Sequence, residues 1–133
     1  MSETTPTTRT DCAFCTMDED AIIARAATCY AISSSQRPEG STIIIPLAHR
    51  EAPWDLSARE WTDLNGLLAQ LKDGIDREHH PDGWNVGWNV GRVGGQTVPH
   101  AHCHLIPRYR DEPYAGRGVR WWFKQEENRR AQT

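Results

Sequence analysis

Three histidines occupy alternate positions in the stretch GGQTVPHAHCHLIP (Gly94–Pro107): His100, His102 and His104, separated by Ala101 and Cys103. Imidazole ligates metals, moves protons at neutral pH and serves as a nucleophile, so this spacing admits two chemistries. In a strand, side chains two apart share a face. The three rings would then line one surface, with Ala101, Cys103 and Leu105 turned to a core. With a rise of about 3.3 Å per residue, the outer two backbones lie about 13 Å apart. Three ligands on one straight strand therefore converge poorly on an ion that needs bonds of about 2 Å, whereas two can do so. The second chemistry is covalent catalysis at phosphorus. A neutral imidazole whose tautomer is fixed through one nitrogen attacks with the other, and donors around the phosphate oxygens take up the developing charge. Gly94-Gly95-Gln96-Thr97 would supply backbone N–H groups for an anion nest and two side chains with donors, and Asn89 a third.

A second reactive pair is Cys12-Ala-Phe-Cys15. The opening MSETTPTTRT has no apolar stretch to act as a secretory signal, so the expected compartment is the reducing cytoplasm. There a C-x-x-C reads as a metal or redox pair. Redox is disfavoured because no thioredoxin-like β-α-β pattern surrounds it. Cys29 and Cys103 fall in apolar alternating segments, as small core residues do.

These groups need a scaffold. The chain has 133 residues, enough for one core, with residues 1–10 expected as a disordered leader and 11–133 as a single domain. Its net charge of −3 gives no basic stripe for nucleic acid, and no apolar run is long enough to cross a membrane. Short β-type runs are expected at 21–25, 29–33 and 42–46, with SQRPEGS as a turn before the last. Ser57 and Glu60 form a capping-box pattern. Trp61, Leu64, Leu68, Leu71 and Ile75 then make one apolar stripe on a helix that ends near His79–Pro81, leaving His79 and His80 as last-turn residues. In GWNVGWNVG (83–91), alternation sets Trp84, Val86, Trp88 and Val90 against Asn85, Gly87 and Asn89. The order predicts an α+β fold: a mainly antiparallel five-stranded sheet, one long helix and a short C-terminal helical segment.

The segment His100-Ala-His102-Cys-His104-Leu-Ile106 resembles the H-φ-H-φ-H-φ-φ signature of the histidine-triad (HIT) superfamily of nucleotide hydrolases and transferases. The likeness extends through CAFC (12–15), IIIPLAH (43–49) and NVGRVGGQTVPHAHCHLIPRY (89–109), and so covers about residues 11–110. It implies that His102 is the nucleophile that takes up a nucleoside monophosphate, with its other nitrogen held by a backbone carbonyl, that of His100. His104 would bind phosphate oxygens, and Asn89, Gly95, Gln96 and Thr97 would position the α-phosphate and assist the leaving group. No metal is required for that chemical step. In zinc-containing members a structural Cys₂His₂ zinc occupies positions that match Cys12, Cys15, His49 and His100. The usual assembly is a homodimer. The tail YAGRGVRWWFKQEENRR (114–130) resembles a bacterial branch related to dinucleoside polyphosphate hydrolases. There Arg117 and Arg120 would meet distal phosphates or the partner subunit, and Trp121, Trp122 and Phe123 would pack in a core or a dimer contact.

The sequence also departs from the family pattern. Ser33 stands where many members have Asp or Asn for the ribose hydroxyls, and Glu39-Gly40-Ser41 replaces the common P-G-H. Arg37, in the turn beside the expected nucleoside pocket, is either a contact to a second phosphate or carboxylate or a solvated turn residue. The resemblance implies cleavage of a nucleoside phosphoanhydride, such as diadenosine tetraphosphate, or of a phosphoramidate. The competing readings are a non-catalytic nucleotide-binding regulator, a specialised enzyme on an unusual nucleotide, and a metal-dependent hydrolase.

Overall fold

Ser57 starts the long helix with a reciprocal cap. Its hydroxyl accepts the Glu60 N–H at 3.1 Å, and the Glu60 carboxylate accepts the Ser57 N–H at 2.7 Å. Helix α1 runs Ala58–His79 and stops at His80, whose φ of 52° places it in the left-handed region ahead of Pro81. In this computed structural model residues 7–131 are described. The leader expected at 1–10 therefore lies mostly outside them, although the Thr7 carbonyl accepts the His49 N–H at 2.6 Å.

The strands are β1 (Ile22–Arg25), β2 (Cys29–Ser33), β3 (Thr42–Pro46), β4 (Gly83–Trp88) and β5 (Cys103–Arg108). They form one antiparallel sheet in the order β1-β2-β3-β5-β4. Directly paired residues project to the same side of a sheet, so the register sorts the side chains into two faces. One row runs Ala31, Ile44, Cys103 and Trp88. These pack with Leu64 and Leu67 under α1 to form the main core. The adjacent row runs Ile22, Ile32, Ile43, His104 and Gly87, on the face away from α1. There Tyr30, Ile43 and Ile45 form a smaller buried apolar cluster, with Phe14, Met17, Ile22, Ile32 and Leu47 packed against it.

The sheet and the two helices match the expected fold class, α2 being the short Val119–Phe123. Leu67, only 2% exposed, was not among the stripe residues expected from spacing, because the core reaches farther round the helix than one narrow stripe. The glycine–tryptophan strand ends at Trp88 rather than Gly91. Its alternation holds: Trp84, Val86 and Trp88 pair with Pro107, Leu105 and Cys103, and Asn85 and Gly87 face the other way.

The histidines are not all on a strand, contrary to the expectation from alternation. β5 begins only at Cys103; the chain bends at His100, and Ala101 and His102 lie in irregular backbone. The Ala101 N–H donates to the Arg50 carbonyl at 2.6 Å and the His100 N–H to the Val98 carbonyl at 2.7 Å, so sheet pairing is replaced by loop contacts there. Arg50 is itself tied to Glu60 of the helix cap at 3.1 Å, which links this segment to the start of α1. No helix among the described residues is long and apolar enough to cross a membrane.

Candidate active site

His100 is completely buried, and its ring is used at both nitrogens. Nε2 lies 2.8 Å from the Pro46 carbonyl, an acceptor only, so Nε2 carries the proton and Nδ1 presents a lone pair. That lone pair faces Cys12 Sγ at 3.3 Å and Cys15 Sγ at 3.5 Å, while His49 Nδ1 lies 3.4 Å from Cys15 Sγ. The four ligand atoms lie within 4.8 Å of one another. A tetrahedral ion with sulfur bonds of about 2.3 Å and nitrogen bonds of about 2.0 Å separates sulfur from nitrogen by about 3.5 Å, close to what is found. The Pro46 carbonyl behind His100 is the kind of outer contact that fixes a ligating imidazole. Cys12, Cys15, His49 and His100 therefore fit a metal ion. All four cysteines are free thiols, and burial pushes the Cys15 thiol and the His100 imidazole in the directions that favour their neutral forms.

The same residue reaches the reactive centre through its backbone. The His100 carbonyl lies 2.8 Å from His102 Nδ1, so Nδ1–H donates and Nε2 keeps its lone pair. Edge-to-face rings flank His102: Phe14 at 5.0 Å and 83°, and His104 at 5.0 Å and 63°. Burial, helped by the neighbouring His102, lowers the His104 pKa below the ordinary imidazole value, so this ring is neutral at pH 7. Its Nε2 is buried without a hydrogen-bond partner among the described residues. A buried polar atom left open beside a nucleophile-type imidazole is what a ligand contact needs.

The glycine loop differs from expectation. The Gly94 and Gln96 N–H groups donate to the Gly91 carbonyl and the Gly95 N–H to that of Arg92, so these three do not form an open nest. Gly95 has φ of +98°, and a Cβ on Gly94 would run into the Val90 carbonyl oxygen. The Gln96 amide braces the turn, accepting the Gly91 N–H at 2.8 Å and donating to the Glu51 carbonyl at 3.0 Å. Thr97 and Asn89 are exposed, Asn89 lying against Gly95. A cavity of about 730 Å³ opens here, lined in part by Gln96, Thr97, Gly95 and Arg92.

Two expected contacts lie apart from these groups. Ser33 pairs with Thr42, which pairs with Leu105, so it belongs to the helix-side rows and not to that of His104. Arg37 is exposed in the turn at the opposite end of β3 from Pro46 and the cysteines. In the tail, the Arg117 guanidinium stacks on Trp121 at 4.2 Å and Tyr114 at 5.0 Å, and Arg120 is exposed. Arg108 secures this tail to the sheet, bonding Glu112, Asn85 and the carbonyls of Arg117 and Tyr114. Neither Arg108 nor Phe14 stood out in the sequence as a site-shaping residue, because both act through tertiary contacts that spacing does not reveal.

A family model for the HIT domain matches residues 17–111. The chain is 32% identical over 83 residues to the adenosine 5'-monophosphoramidase hnt1 of Schizosaccharomyces pombe, an alignment covering 62% of this chain and 58% of that protein. It is 35% identical over 69 residues to the asymmetrical bis(5'-nucleosyl)-tetraphosphatase of the same yeast, covering 52% and 38%. The chain thus spans little more than half of the first relative and less than half of the second. Among solved structures, a HIT family protein from Bacillus anthracis superposes with a TM-score of 0.71 at 29% identity, covering 78% of this chain and 77% of that one. The family model extends over well more than half of the chain and contains all three histidines, and the chain belongs to the HIT-domain family.

Proposed function

We propose that the protein cleaves a nucleoside phosphoanhydride, such as diadenosine tetraphosphate, or a nucleoside phosphoramidate, through a nucleotidyl-His102 intermediate. The observation that carries this reading is the 2.8 Å contact from His102 Nδ1 to the His100 carbonyl, which leaves Nε2 as the free lone pair. Nε2 attacks the α-phosphorus. The Nε2–P bond forms as the bond from phosphorus to the leaving oxygen or nitrogen breaks, and the leaving group takes a proton from water or from the Thr97 hydroxyl. Water then attacks phosphorus as the Nε2–P bond breaks, its proton passing to solvent or back to the Thr97 oxygen, which restores His102 and releases the monophosphate. His104 Nε2, buried and unpartnered among the described residues, contacts the phosphate oxygens, and the likeness to the HIT family assigns Gln96, Gly95 and Asn89 to the same group. The partly covered apolar face of Ile22 and Ile32, in the same sheet row as His104, suits the base. The relatives named for phosphoramidase and tetraphosphatase activity support both substrate classes.

Cys12, Cys15, His49 and His100 hold a structural zinc, whose contribution is to clamp the N-terminal loop to the triad segment. Four free thiols accord with a cytoplasmic protein. Two copies pair through β4, the sheet edge, where Val86 is 52% exposed. The decisive experiment is mass detection of a nucleoside monophosphate on His102 after rapid quenching with either substrate class. Adduct and turnover are expected in the wild type, and neither in His102→Ala. A wild type that neither captures nor turns over any member of the panel would sink the reading.

A further inference from the structure

Phe14 sits between the two cysteines and ligates nothing, yet its ring meets both of the histidines that matter most. It packs edge-on against His102 at 5.0 Å and against His100 at 5.9 Å. Its carbonyl accepts the Tyr30 hydroxyl at 2.5 Å, and Tyr30 is fixed in β2 at 2% exposure. The loop around it is closed by the Thr16 N–H and hydroxyl, both donating to the Cys12 carbonyl. Torsion about the Cβ–Cγ bond of histidine is broad, so one hydrogen bond at Nδ1 leaves the ring free to swing. Rings on its flanks remove that freedom.

We infer that Phe14 is a positioning residue that transmits closure of the Cys12–Cys15 loop to the His102 ring, so that metal binding at the cluster orients the nucleophile. Two connections then run from the cluster to His102: the His100 carbonyl, which sets the tautomer, and the Phe14 ring, which sets the plane. The inference rests on His102 being the nucleophile. It also gives Phe14 a part beyond lining the cavity of about 270 Å³ that it shares with Met17, Ile22, Tyr30 and Leu47.

The test is Phe14→Leu, which keeps an apolar side chain and loses the ring. In the zinc-loaded protein kcat is expected to fall about tenfold or more, as small misplacements of a reacting group do, with metal content unchanged. KM should stay within about twofold. Ring-nitrogen NMR without substrate should show one Nδ1–H tautomer for His102 in the loaded wild type. The signal should be mixed or exchange-broadened in Phe14→Leu and in the chelated wild type. Tyr30→Phe, which frees the Phe14 carbonyl but keeps the ring, should shift both readouts in the same direction by less. A raised KM at unchanged kcat would overturn the inference and reduce Phe14 to a substrate contact. An unaltered His102 spectrum on chelation would overturn the link to the metal. If the wild type turns over no nucleotide, the proposed reaction falls, while the spectra still decide whether Phe14 and the metal orient the ring.

Discussion

Two regions, one touching His102 and one shortly before it in the chain, are held together by opposite means. In the former, Cys12, Cys15, His49 and His100 converge from segments up to 88 residues apart, in a largely buried cluster built of side chains. In the latter, Gly91–Thr97 closes on itself through backbone hydrogen bonds and is mostly exposed. The first is a long-range closure whose members depend on one another. The second is a local turn whose shape comes from glycine stereochemistry. A long-range closure thus backs His102, and a locally held, exposed turn precedes it.

The most severe break is at His102 itself. His102→Ala removes the attacking nitrogen and should lower turnover at least about a thousandfold, the scale seen when a nucleophile is deleted. Its melting temperature should fall by only a few degrees, because the buried ring makes a single hydrogen bond, to the His100 carbonyl, beside its packing on Phe14 and His104. Activity within tenfold of the wild type in a single-turnover assay would remove His102 from the chemistry.

Next comes the buried cluster. Cys12→Ala should cost about 3 kcal/mol or more, as loss of a structural metal site does, which is about 10 °C of melting temperature for a domain of this size. The comparison sharpens with a chelator. The wild type should lose a similar amount, and the variant, with a broken ligand set, should be nearly indifferent. A wild type that melts identically with and without chelator would show that the cluster stands without metal.

The loop should fail differently. Gly94→Ala places a methyl against the Val90 carbonyl and forces the turn to rearrange. Because the turn is exposed and self-contained, kcat/KM should fall about ten- to a hundredfold while stability changes by only about 1–2 kcal/mol. Equal losses of activity and stability, followed by kinetics and thermal melting, would erase the distinction between the two regions.

What the sequence disclosed follows the same division. The strands at 29–33 and 42–46, the capping box at Ser57 and the alternation of Trp84, Val86 and Trp88 are local patterns, and they appear where expected. The meeting of Cys12, Cys15, His49 and His100 was legible only through resemblance, since no local period links residues so far apart. The end of strand pairing before His102, the edge of Phe14 on that ring and the four-way grip of Arg108 on the tail were not legible at all. Each depends on which surfaces meet after folding. The resemblance placed Ser33 beside the ribose, whereas the register turns it toward the helix side; one residue of register decides the face.

The smallest expected effect concerns pH, and it separates His104 from the cluster. Burial lowers the folded-state pKa of His104 below the ordinary imidazole value of 6.5, whereas the Nδ1 of His100 belongs to the metal cluster. Below that value the unfolded chain takes up protons that the folded chain refuses, so unfolding is favoured as pH falls from 6.5 toward the folded-state value. Above it both states are neutral and the contribution is constant. Melting temperature should therefore be flat from pH 7 to 8 and decline from pH 6.5 to 5.5 in low-salt buffer. His104→Gln removes this imidazole and should make that decline shallower, leaving the share of the metal cluster. Parallel declines in the two proteins would assign the whole pH dependence to the buried cluster, and His104 would then be solvated more freely than its packing against His102 indicates.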